Sequence, residues 1–377
     1  MHKGIYAADG EATRMRRIAL FLPLLLLPAG PVGAAKIQFK DAGPGNFGKN
    51  VRYVGHIPTN NDSPGARVFG KSLYITTSNS LRIYDISRPK DPQLLSIFPR
   101  AQTPYVAQED VDTNGKIVLI DTDVIDVTNK AEPKLLSTHT VSSHTISCIL
   151  DCTWAYGSEG QIVDLRNPAQ PRVSGARWTL GKPATSSHDV TEVSPGIVMT
   201  SSDPVMLLDA RDNPEAPKLI AQSPRRGRFT HSAIWPNAGT DDIALISGET
   251  QGPTCSGASA QFVTLDASDV AGQGFKPVAE YRVEQGLPNE GKSPVNQWCT
   301  HWFEAHPKFK NGGLVAMAWY EHGVRFLRIS PTGQISEVGW FLAAGTSASG
   351  AYWVTDRVVY VSDYNRGLDI IEFQGAI

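Results

Sequence analysis

A strand motif that recurs seven times, a second β-rich run ahead of each copy, and chain ends that complement one another predict an all-β fold. The fold is a single seven-bladed β-propeller of four-stranded antiparallel blades, with the last blade closed by an N-terminal outer strand. The motif is an alternating strand that ends in an acid and runs into a Pro-rich turn. It reads LRIYDISRPKDPQLLSIF from Leu81 to Phe98, DVIDVTNKAEPKLLSTH from Asp123 to His139, QIVDLRNPAQPRVSGA from Gln161 to Ala176 and VMLLDARDNPEAPKLIAQ from Val205 to Gln222. Looser copies run from Gln261 to Tyr281, from Val324 to Phe341 and from Leu368 to Gly375.

Taking strands A to D from axis to rim, the acid-ending run is C and the segment after the turn is D. The runs LYITTS, KIVLID, TWAYGS, IVMTSS, IALISG, LVAMAW and VVYVSD supply B in successive blades, and the segment after each D strand opens A of the next. The last copy ends after its C strand, LDIIEF, whereas VRYVGHI (Val51 to Ile57) stands alone near the start as a D strand. Joining the two closes the ring and removes an open sheet edge. Asp85, Asp126, Asp164, Asp209 and Asp266 recur where C meets its turn, the place for a side chain that caps backbone N–H groups.

This repeat resembles that of LVIVD-repeat β-propellers and, more distantly, the propellers of selenium-binding proteins. The first four copies carry the likeness best. The resemblance implies the fold; function has to be argued from the site. The more distant likeness implies copper-linked thiol oxidation as one chemistry among those that propellers host.

The 377 residues carry 35 basic and 37 acidic side chains, with no basic block to neutralise a run of phosphates, so nucleic acid is excluded as a partner. Arg16 and Arg17, the apolar run IALFLPLLLLPAG from Ile18 to Gly30 and the small residues up to Ala35 read as a secretory signal, residues 1–35. Cleavage before Lys36 is expected, Met15 can serve as the start, and an uncleaved anchor is the alternative. Residues 36–48 then form an N-terminal extension and 49–377 the propeller. The mature chain is expected to be secreted or to lie in the periplasm or cell envelope, as a monomer without a stable membrane span.

Export permits disulfides, and the four cysteines are expected to pair as Cys148 with Cys152 and Cys255 with Cys299. The first pair flanks a tight A-to-B hairpin, where a zinc site is the weaker rival. The second would pin the insertion GETQGPTCSGASA beside the start of a later A strand.

Histidines recur at one place in this frame. SSHT (His144), SSHD (His188), FTHS (His231) and CTHW (His301) each open an A strand in consecutive blades, and Glu109 in AQEDV takes the equivalent place one blade earlier. First residues of A strands line one mouth of the central channel, so these five side chains are expected to converge. Imidazoles with one carboxylate suit zinc, manganese, iron or copper and are too nitrogen-rich for calcium. The competing reading is that a duplicated histidine persists to hydrogen-bond backbone at the blade junctions.

Two B-to-C turns on the same face add catalytic candidates: Glu321 and His322 to move a proton, and Arg366 to hold a substrate carboxylate. His306 falls on the opposite face. No Gly-x-Ser-x-Gly elbow, phosphate loop, His-Glu-x-x-His or haem-attachment motif occurs. Two functions follow: a metal-dependent hydrolase, lyase or oxidase acting on a polar small molecule or glycan at the channel mouth, or a non-catalytic binding module of the cell envelope.

Overall fold

The computed structural model describes residues 47–59, 63–100, 109–179, 187–251, 257–283 and 298–377. The segment read as an export signal and most of the extension after it lie outside these, as do Cys255 and the lead-in from 284 to 297.

Strands rich in β-branched and aromatic residues, broken by Gly, Asn, Asp and Pro, pair into seven sheets in the order A, B, C, D. Blade I comprises Ala66–Phe69, Ser72–Thr77, Ser80–Asp85 and Gln93–Pro99. Blade II comprises Asp112–Thr113, Ile117–Ile120, Asp123–Asp126 and Lys134–Thr138. Blade III follows with Ile146–Ile149, Trp154–Gly157, Ile162–Asp164 and Arg172–Val173, and blade IV with Val190–Ser194, Ile197–Thr200, Met206–Asp209 and Lys218–Gln222. Blade V takes Ser232–Ile234, Ile243–Ser247, Phe262–Asp266 and Lys276–Tyr281. Blade VI takes Phe303–Ala305, Gly313–Ala318, Val324–Ile329 and Ile335–Leu342.

Blade VII holds Ala348–Trp353, Val358–Asp363 and Gly367–Phe373, and its D strand is Val51–Ile57, with Val51 opposite Phe373 and Ile57 opposite Leu368. The ring closes as the lone N-terminal D strand predicts. Phe47–Lys49 adds a fifth strand outside the D strand of blade VI, so ladder pairing begins within the segment expected to be an extension. The B-to-C insertion of blade V adds a ribbon, Thr250 opposite Cys299 and Gln251 opposite Trp298, which ties that insertion to the approach to His301.

The apolar core lies between blades. Seven buried clusters each join one blade to the next: Leu81, Ile83, Val118 and Ile125 between I and II, and Leu73, Ile75, Tyr360 and Ile370 between VII and I. Both faces of each inner strand are therefore covered, which is why these B strands are buried at every position instead of alternating. The five recurrent aspartates act as turn caps: each accepts the N–H two residues on, at 2.8 to 3.1 Å.

Cys148 and Cys152 form a disulfide across the A-to-B turn of blade III. Leu150, Asp151 and Cys152 all have positive φ, a run that L residues adopt only when the surroundings hold it. Cys299 is also disulfide-bonded, and no described cysteine is free.

Candidate metal centre

The four histidines and Glu109 stand where the chain enters the A strands of blades II to VI. The backbone N–H groups of His188, His231 and His301 donate to the carbonyls of Ser201, Ser247 and Ala318 near the ends of their own B strands. Neighbouring blades hold them from the other side: Thr145 Oγ1 donates to the His188 carbonyl at 2.7 Å, and Ser247 Oγ to the His301 carbonyl at 3.0 Å. Before His301, Thr300 has φ 61°, uncommon for a β-branched residue, with its hydroxyl 2.5 Å from the Gly248 carbonyl oxygen.

The side chains converge on one oxygen. Glu109 Oε2 lies 3.3 Å from His144 Nε2, 3.4 Å from His301 Nε2, 3.8 Å from His188 Nε2 and 4.0 Å from His231 Nε2. His188 Nδ1 donates to the His231 carbonyl at 3.0 Å and His301 Nδ1 to the Ser349 carbonyl at 2.5 Å. A carbonyl can only accept, so both rings carry the proton on Nδ1 and turn the Nε2 lone pair into the cluster. His231 Nδ1 bonds the Ser232 hydroxyl at 2.7 Å, and His144 Nε2 lies 2.7 Å from His188 Nε2. Phe229, edge-on to His188, and Trp302, edge-on to His231, wall the rings.

Burial would raise the Glu109 carboxyl, but the imidazoles of His301 and His144 overcome it and hold the group well below the usual carboxylate range. Burial, then repulsion from His144, drives His188 down to about 3; burial, with His188 and His301 beside it, puts His231 well below the ordinary value. The centre thus sets a carboxylate anion among four imidazoles, two of which, His188 and His231, are held in the neutral form, a donor set suited to a divalent transition metal.

Two observations test the fit. Metal–nitrogen bonds of about 2.1 Å put neighbouring donor atoms about 3.0 Å apart at a right angle and about 3.4 Å apart at the tetrahedral angle, close to the shorter separations around Glu109 Oε2. In addition, Glu109 Oε2, His231 Nε2 and His301 Nε2 are buried without a hydrogen-bond partner. Leaving such an atom unsatisfied costs about 1–3 kcal/mol, so three in one place need a common partner. Glu109 with His231 and His301, and Glu109 with His144 and His188, each bring their ligand atoms within 4.8 Å of one another.

A third such group, His188, His231 and Glu249, includes a residue the sequence reasoning passed over. Glu249 follows the B strand of blade V inside the insertion already singled out, and burial raises its carboxyl. Tyr320 donates to Glu249 Oε1, and Tyr364 to Glu109 Oε1, both at 2.5 Å, from two stacked rings 5.7 Å apart. Burial pushes both phenols well above their ordinary value, with the nearby carboxylates adding to it, so they act as donors. The shared signal was a polar residue within two positions of a B-strand end in blades V, VI and VII.

The turns that carry these tyrosines need their glycines: a Cβ on Gly323 would meet the Phe341 carbonyl at 2.2 Å, and one on Gly367 the Ile57 carbonyl at 2.6 Å. The other turn candidates are placed differently. Arg366 forks onto both oxygens of Asp369, at 2.9 and 3.0 Å, and its remaining Nη1 reaches the Ala344 carbonyl, so its carboxylate-binding face is already filled by the same blade. Glu321 accepts from Ser347 Oγ at 3.5 Å, and His322 is buried, with its carbonyl receiving Arg325 Nη2. Neither belongs to a group whose ligand atoms converge. His306 lies in the A-to-B turn of blade VI, bonded to the Asp356 carbonyl at 2.9 Å.

A family model described as the LVIVD repeat matches residues 65–99, which are blade I. No curated protein matches the chain. No helix among the described residues is long and apolar enough to cross a membrane.

Proposed function

We propose that this chain, an LVIVD-repeat seven-bladed β-propeller, holds one divalent transition-metal ion at Glu109, His144, His188, His231 and His301 and uses it as a metal-dependent enzyme on a polar molecule. The observation that carries the proposal is the convergence of three buried, unsatisfied ligand atoms, Glu109 Oε2, His231 Nε2 and His301 Nε2. One carboxylate among neutral imidazoles leaves a bound divalent ion with net positive charge. Such an ion supplies Lewis acidity, polarising a substrate oxygen or lowering the pKa of a bound water.

The chain's own groups do the rest. His188 and His301 are aimed by backbone carbonyls, and Tyr364 fixes Glu109 through Oε1 so that Oε2 faces the histidines. Glu249, raised by burial and held by Tyr320, is the group beside His188 and His231 able to hold a proton at its carboxyl. Phe229 and Trp302 pack edge-on against His188 and His231 and limit how those rings can turn. Hydrolysis, elimination and oxidation are the reaction classes this arrangement serves, and the Cys148–Cys152 bridge suits an exported protein.

Elemental analysis of the purified mature chain tests the reading. One equivalent of metal is expected in the native protein and none after joint alanine substitution of His144, His188, His231 and His301. A native protein that is metal-free and takes up no metal at micromolar concentration overturns it.

A further inference from the structure

A second cluster, outside the metal centre, gathers guanidiniums on the loop between the D strand of blade IV and the A strand of blade V. Arg228 Nη1 donates to Glu280 Oε1 at 2.6 Å; Arg226 Nη2 stands 3.8 Å from that oxygen, and Arg282 Nη2 stands 3.6 Å from Oε2. Three cations therefore converge on one carboxylate. The loop is held in place by Asp203, which accepts the N–H groups of Arg226 and Gly227.

Two donors in the cluster are left over. The Arg226 side chain is only 10% exposed, and its Nη2 is buried with no hydrogen-bond acceptor. Gln261 is fully buried, its Oε1 accepts from Arg228, and its Nε2 has no acceptor. Turning the amide over would set its NH₂ against a guanidinium, so the assignment is fixed by its neighbour. Both leftover groups are donors, and both adjoin Arg228. Burial holds Arg226 below its ordinary value although Glu280 and Asp203 act the other way, and the two unmet donors call for a further acceptor.

We propose that Arg226, Arg228 and the Gln261 amide form a binding site for a small oxyanion, a carboxylate or phosphate group. Arg228 is next in sequence to Phe229, whose ring meets His188 edge-on at 5.7 Å. The site does not depend on the metal, and its test is run on the metal-free full chain.

Inorganic phosphate and acetate are titrated separately by calorimetry at low ionic strength, with thermal melting in parallel. Binding of at least one anion is expected, with a melting temperature that rises as its concentration rises. Stronger phosphate binding identifies a phosphate site, and equal binding a general carboxylate site. Arg226→Met and Gln261→Met should each weaken binding about ten-fold or more, the range for a hydrogen bond to a charged group. Arg211→Met, which removes an exposed guanidinium paired with Asp209, should leave it unchanged. If Arg226→Met does not fold, Gln261→Met decides. Binding of neither anion, or binding undiminished in Gln261→Met, overturns the proposal.

Discussion

Tyr364 donates its phenolic hydrogen to Glu109 Oε1 at 2.5 Å across 255 residues of sequence, while the other carboxylate oxygen faces four histidines. One carboxylate thus has a fixed side and a ligand side.

Tyr364→Phe removes only that hydroxyl. Metal affinity is expected to fall about ten- to hundred-fold, the usual effect of losing a partner that orients a ligand, with folding retained. Competition against a chelating dye measures it. An unchanged affinity would mean that Glu109 is aimed by something other than Tyr364.

His231→Ala and His301→Ala should cost far more with metal than without it. Without metal, each removes a buried Nε2 that has no partner but also the Nδ1 hydrogen bond to Ser232 or Ser349, so beyond the cavity cost the melting temperature should change little. With metal in excess, the native protein gains about 2.7 kcal/mol at a hundred times its Kd, and the variants should lose most of that gain. Melting with and without added zinc separates the two effects.

The metal-free protein should lose stability in acid over a defined window. The folded state keeps His188 neutral down to about 3, whereas the unfolded chain takes up that proton near 6.5. The stabilisation is therefore complete above about pH 6.5 and declines as pH falls towards 3, at up to about 1.4 kcal/mol per pH unit per group. His231, also depressed, adds to the slope. Urea unfolding between pH 7 and 4 should show a shallower decline in His188→Gln.

Replacing both Cys148 and Cys152 by serine frees a short loop of left-handed residues. Loop-closure entropy for a bridge of this span predicts a loss of about 2 kcal/mol. Alkylation of the native, unreduced chain should modify no cysteine if Cys255 pairs with Cys299 as expected, and N-terminal sequencing of exported protein should begin at Lys36.

The blades were legible because their signals are local and repeated: an alternating C strand, a capping aspartate, a Pro-rich turn. The histidines were legible for the same reason, since a repeat register turns four scattered residues into one ring. Glu249 and Tyr320 were not, because B-to-C turns differ from blade to blade and no register shows which side chain leans towards the axis. For Arg366 the sequence did not show that Asp369, three residues on and buried, takes both arms of its fork. The outer strand Phe47–Lys49 was missed because three residues are too few for an alternation to register.

The circular closure also has an order in time. Glu109 and the histidines belong to blades II to VI, but Tyr364 belongs to blade VII, whose outer strand is Val51–Ile57. During synthesis the N-terminal strand must wait for Gly367–Phe373 to leave the ribosome before it can pair. The phenol that fixes Glu109 is delivered by the blade that completes the circle, so a chain whose ring has not closed carries all five donors without the group that sets one of them.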